Sequence, residues 1–236
     1  MISLYHEEVN NLNQMSAETA VPTTELYLRG LCLATFTVPF IAQGLFDIRK
    51  TTRPYGTRVT PPPRFFAIWG LIYLNFLIAS AYAIINDTWQ PTSWMLFAAW
   101  NVAAGLWTYS ISHLSKIHVI ISTALILGQL CIMEALWIDL VTTPSLTGFA
   151  GLYAHNTFAL CVGWLIAACN ISVGSFMILI LGVSYNAQMV LFWLHTPIVY
   201  GLFYYYNLTT APIASSYALF PITAYALVGA VISSRK

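Results

Sequence analysis

VTPPPRFFAIWGLIYL, residues 59–74, hands a basic loop over to an apolar segment, and its reading sets the frame for the whole chain. Pro61, Pro62 and Pro63 cannot continue a helix, because each lacks an amide donor, yet proline is well tolerated just ahead of a first helical turn. A helix is therefore expected from about Arg64. No charged residue occurs between Phe65 and Ile85, and at about 1.5 Å per residue this segment can cross the roughly 30 Å hydrocarbon core of a bilayer. The stretch reads as a membrane span.

Composition points the same way. The 236 residues are 58% hydrophobic and only 7% charged, with a mean hydropathy of +0.72, where a soluble domain carries about 25% charged residues. A soluble globular protein is excluded. The net charge of +1 supplies no basic stripe to neutralise phosphates, so no nucleic-acid partner is expected. Cys32, Cys131, Cys161 and Cys169 fall in apolar stretches without C-x-x-C spacing and read as small buried hydrophobes rather than metal ligands. Residues 1–25 form a polar, acidic tail with Glu7, Glu8, Glu18 and Glu25 and no lysine or arginine. Signal peptides and presequences need positive charge near the start, so the tail is expected to belong to the mature protein.

Six further apolar stretches follow the same logic. Spans are expected over residues 28–46 (carrying Pro39), 64–85, 93–112 and 118–140, then from 152 past Asn170, and over 187–206 (Pro197) and 213–232 (Pro221). Residues 175–183 either extend the fifth span or form a short interfacial piece, since nine apolar residues cannot cross alone. The fold class is thus an all-α integral membrane bundle of about seven transmembrane helices. An odd count puts Arg49, Lys50, Arg53, Arg58, Arg64, Lys116, Arg235 and Lys236 on one side of the membrane. Those are eight of the nine basic residues, as the positive-inside rule requires, and only Arg29 dissents.

Three segments together carry a family resemblance: PPPRFFAIWGLIY (61–73), SWMLFAAWNVAAGLWTYSISH (93–113) and FALCVGWLIAACNIS (158–172). In order and spacing they resemble the TspO/MBR family of tryptophan-rich sensory proteins, closest to its longer, divergent members. The family's short asparagine then tryptophan-serine pattern in the third helix is met only loosely, by Asn101 and Trp107. The resemblance implies a five-helix core over residues 26–175, followed by two additional helices over 176–236. It also implies a pocket between helices for a tetrapyrrole or a sterol-like lipid, lined by Trp69, Tyr73, Trp100, Asn101, Trp107, Trp164 and Asn170.

Read without the resemblance, the same residues admit two accounts. Trp89, Trp94 and Trp137 lie at span ends, where indoles seek the interface. Trp69, Trp100, Trp107, Trp164 and Trp193 lie deeper, where each indole N–H needs a partner or a polar cavity, and Asn75, Asn101 and Asn170 are available to bond across helices. One account is aromatic packing with interhelical hydrogen bonds; the other is a cavity for a flat apolar ligand.

Four ionisable groups fall within spans: Glu134, Asp139, His155 and His195. Asp139 is at a span end and expected to be wet. Glu134, about 24 Å along its helix, and His155 fall at similar depth, which allows an intramembrane pair. His195 lies nearer mid-membrane and is expected to be buried against a neighbouring helix. No carboxylate relay, Ser/His/Asp set or metal-ligand cluster is present, so no enzyme is expected. Two functions remain: an accessory subunit of a larger membrane assembly, with lipids and neighbouring subunits as partners and the mitochondrial inner membrane as the favoured site, or a free-standing tetrapyrrole or lipid binder.

Overall fold

In the computed structural model, the described residues are 23–45, 63–113, 115–144, 146–210, 224–226, 228 and 231. The acidic tail, the basic loop of residues 46–62 and most of the expected seventh span lie outside them. Among the described residues all regular structure is helical: α1 (Thr23–Leu45), a 3-10 helix (Pro63–Ala67), α2 (Ile68–Asn86), α3 (Pro91–Ile111), α4 (Lys116–Thr142), α5 (Gly148–Leu179) and α6 (Tyr185–Thr210). Phe65–Asn86, Lys116–Thr142 and Gly148–Leu179 are each long and apolar enough to cross a membrane.

The proline-led start differs in one detail from expectation. The chain first tightens into the 3-10 helix, and α-geometry begins only at Ile68. With three consecutive prolines lacking N–H groups, a tighter turn is a common way to begin a helix. At its far end α2 stops at Asp87, whose φ of 51° and ψ of 47° are left-handed while its N–H bonds the carbonyl of Ala83. Asp87 also receives Arg29 of α1, which in addition reaches the Ile84 carbonyl. The one basic residue that breaks the charge rule is therefore paired with a carboxylate.

Helices α1, α3, α4, α5 and α2 pack in that order, α1 on α3, α3 on α4, α4 on α5 and α5 on α2. Contacts from Arg29 to the end of α2 and from Phe36 to Tyr73 close the ring between α1 and α2. Polar cross-links hold the ends. The Asp139 carboxylate at the end of α4 accepts from Ser93 and Thr92 in the first turn of α3, where a helix dipole favours negative charge. Ser115 caps α4 by accepting from the His118 N–H. Asn75 accepts from the Tyr153 hydroxyl at 2.7 Å across α2 and α5, an interhelical bond of the kind expected of the asparagines.

Helix α5 is the centre. Every residue from 161 to 170 is buried, and a helix that is apolar all round belongs inside. Small residues such as Ala159, Cys161, Gly163 and Ala167 let its neighbours approach closely. The open question about residues 175–183 is answered by α5 running to Leu179 and then turning at Gly182, which has φ of 69°. Cys131, expected to be buried, is exposed instead, because it lies on the outward face of α4 with Leu127 and Ile138.

Candidate functional site

An aromatic column from α2, α3 and α5 fills the middle of the ring. Phe76 stacks on Phe158 at 5.1 Å between ring centres and meets Trp100 at 5.2 Å and Phe97 at 5.3 Å. Trp89 and Trp94 close one end, 4.6 Å apart and both buried. These two, with Trp137, are expected at span ends near the interface; all three are buried, and for Trp89 and Trp94 the bundle end offers ring partners, with Phe158 5.5 Å from Trp89.

At the opposite end, beside the 3-10 helix and the start of α4, lies a cavity of about 40 Å³. Trp69, Trp107 and Trp164 line it together with Phe66, Ser122, Thr123, Ser172 and Ser175. Trp69 is 6.3 Å from both Trp107 and Trp164 and stands edge-on to the latter. The alcohol groups on the wall bond helix carbonyls: Ser122 and Thr123 donate to Val119, and Ser175 to Ile171. The indole N–H groups of Trp107 and Trp164 are buried and have no partner among the described residues. The wall is thus apolar with hydrogen-bond donors to spare, suited to a ligand that brings acceptors. Its volume holds about one water molecule, far below the roughly 300–1,000 Å³ of ordinary ligand pockets.

The seven pocket residues expected from the resemblance therefore separate. Trp69, Trp107 and Trp164 converge on the cavity. Tyr73 and Trp100, 6.1 Å apart, continue the packed column without lining it. Asn101 is fully buried and donates to the Phe97 carbonyl of its own helix at 2.9 Å. Asn170 belongs elsewhere, in a cleft between α5 and α6.

The ionisable groups also take their own places. His155 bonds the Leu140 carbonyl at 3.2 Å, and no ion pair joins it to Glu134 among the described contacts. His155 lies near the start of α5, beside the last turn of α4, whose Leu140 carbonyl also accepts from the Thr143 N–H. His195 is exposed rather than buried. Only one face of α6 meets α5, and Gln188, Phe192 and Thr196, four residues apart in turn, occupy it; His195 falls at its edge. Gln188 escaped the sequence reading because a glutamine in a first helical turn looks like an interface residue; its i, i+4, i+8 register with Phe192 and Thr196 was the available signal. Trp193, placed deep by the sequence, is half-buried against Phe192.

What the fold defines is a helical bundle with membrane-length apolar helices around a tryptophan-rich core. In comparison with known proteins, the chain matches no family model, no curated protein and no solved structure.

Proposed function

We propose that the chain is a non-catalytic multi-pass membrane protein, an accessory, structural subunit of a larger membrane complex, built on a TspO-like five-helix scaffold with two further C-terminal helices. The observation that carries this reading is the filled core: where the resemblance implies a tetrapyrrole pocket, the protein's own aromatic rings leave only about 40 Å³. Titrating the purified protein with a porphyrin tests it. No saturable change in porphyrin absorbance or tryptophan emission is expected at micromolar ligand; a saturable change that Trp107→Phe weakens would establish the binder instead. That second reading, a tetrapyrrole- or sterol-binding receptor or transporter, has one specific support, the unpartnered N–H groups of Trp107 and Trp164 beside the cavity.

In this proposal the chain crosses the membrane seven times, with the basic loop, Lys116 and the C-terminus on one side. The charge distribution supports that orientation. In a mitochondrial inner membrane, the placement favoured here, the basic face is the matrix face. Protease and thiol-reagent accessibility in mitoplasts checks both points: tags at residues 55 and 236 are expected to be protected together. Exposure of one and protection of the other contradicts the odd count.

A further inference from the structure

A second cavity, of about 210 Å³, lies outside the five-helix ring between α5 and α6. Val173, Gly174, Met177, Leu191 and Phe192 make its wall apolar, and two side-chain amides enter that wall, Asn170 from α5 and Gln188 from α6. Asn170 is 8% exposed and Gln188 2%. Neither the Asn170 Nδ2 donor nor the Gln188 Oε1 acceptor has a partner among the described residues. Leaving such a buried group unmade is costly, and here the residues carrying one donor and one acceptor line the same cleft. Among the described residues the wall carries no lysine, arginine, aspartate or glutamate, so no permanent charge there pairs with a phosphate or a carboxylate. A neutral ligand is required.

Position narrows the class further. Asn170 lies nine residues before the end of α5, about 14 Å along the axis, and Gln188 is in the first turn of α6. With α5 about 48 Å long against a roughly 30 Å core, the cleft falls near the hydrocarbon edge, where lipid head and tail meet. An ester there brings acceptors alone, which serves Asn170 and leaves Gln188 unmet. An amide brings a carbonyl and an N–H on neighbouring atoms and serves both.

We propose that this cleft binds an amide-bearing, single-chain lipid, its carbonyl accepting from Asn170 Nδ2 and its N–H donating to Gln188 Oε1. The cleft accommodates the amide and the first methylenes, and the chain leaves over Leu191, which is exposed at the rim. This site shares no lining residue with the tryptophan cavity, so it stands apart from the porphyrin test.

Three probes with one tail separate the possibilities: oleamide, oleyl alcohol and methyl oleate, each titrated against the full chain in lipid nanodiscs and read by native mass spectrometry and thermal shift. Oleamide is expected to bind about tenfold more tightly than methyl oleate and clearly more tightly than oleyl alcohol. Asn170→Leu and Gln188→Leu should each remove that preference without lowering the ligand-free Tm, since an unpartnered polar group is being replaced by an apolar one of similar size. Equal binding of all three probes, equal binding of amide and alcohol, or no binding by the unaltered protein would overturn the proposal, the last pointing to a cleft filled by water. The comparison on unaltered protein decides the matter even where a variant fails to fold.

Discussion

Phe158→Ala lowers the stability of the protein in detergent by about 3–5 kcal/mol, measured as the shift in helical signal through an SDS unfolding titration. Phe158 is fully buried on α5 and touches rings from two other elements: Phe76 of α2, Phe97 of α3, and Trp89 in the turn that joins them. Truncation removes those contacts and leaves a hole that no neighbour can collapse into, because the surrounding rings are themselves pinned by one another. Phe149→Ala, at a position 83% exposed in the first turn of the same helix, serves as the control and should change stability by less than about 0.5 kcal/mol. A loss at Phe158 below about 1 kcal/mol would mean that the column is loosely packed and that the filled-core account is wrong.

Gly105→Val is expected to be nearly as damaging, by about 3 kcal/mol, for the opposite reason. A Cβ at Gly105 would run into Cγ1 of Val38, with the Val38 main chain 3.7 Å away, so α1 and α3 would have to separate. Overpacking of that kind commonly costs about 1–3 kcal/mol, and more when backbones must shift. Gly128 is also inside a helix but has nothing within 4 Å of a would-be Cβ. Gly128→Ala should therefore raise stability by up to about 1 kcal/mol through helix propensity alone. If both glycines respond alike to substitution, α1 is not seated on α3 as described.

The legibility of this chain was uneven for physical reasons. Three of the expected spans, those matching Phe65–Asn86, Lys116–Thr142 and Gly148–Leu179, were readable because a membrane-length helix must be apolar along its length, a signal that survives without knowledge of its neighbours. Which way a side chain faces is a different matter. In the helices around the core the outward surface is as apolar as the inward one, so the periodicity that locates a buried face in a soluble helix is weak. Hence Cys131 was expected inside and is outside, and His195 likewise, while the burial of Trp89, Trp94 and Trp137 against the bundle could not be read from their positions near helix ends. The convergence of Trp69, Trp107 and Trp164 was implied by the family resemblance, but the size of the space they enclose was not, because volume depends on how Phe66 and the α4 and α5 hydroxyl side chains fill the remaining angle. Asn170 was put in the same pocket only by the resemblance; it follows Trp164 by six residues, about 600° of helical rotation, which carries it to the side of α5 that faces α6.

Arg29 takes part in a pairing that the sequence alone did not show. As an isolated cation it opposed the charge distribution of the other eight basic residues. It pairs with Asp87 at the left-handed end of α2, and the pair ties the start of α1 to the end of α2.

The central claim, that this bundle works as a structural subunit, is tested most directly by the size of the particle that contains it. The protein is extracted from its native membrane in a mild detergent such as digitonin, resolved by native electrophoresis, and located by antibody. The account predicts a discrete band several times heavier than the 26.2 kDa chain with its detergent, containing other polypeptides in fixed ratio. A single monodisperse species of one chain, with no co-migrating partner, would contradict it.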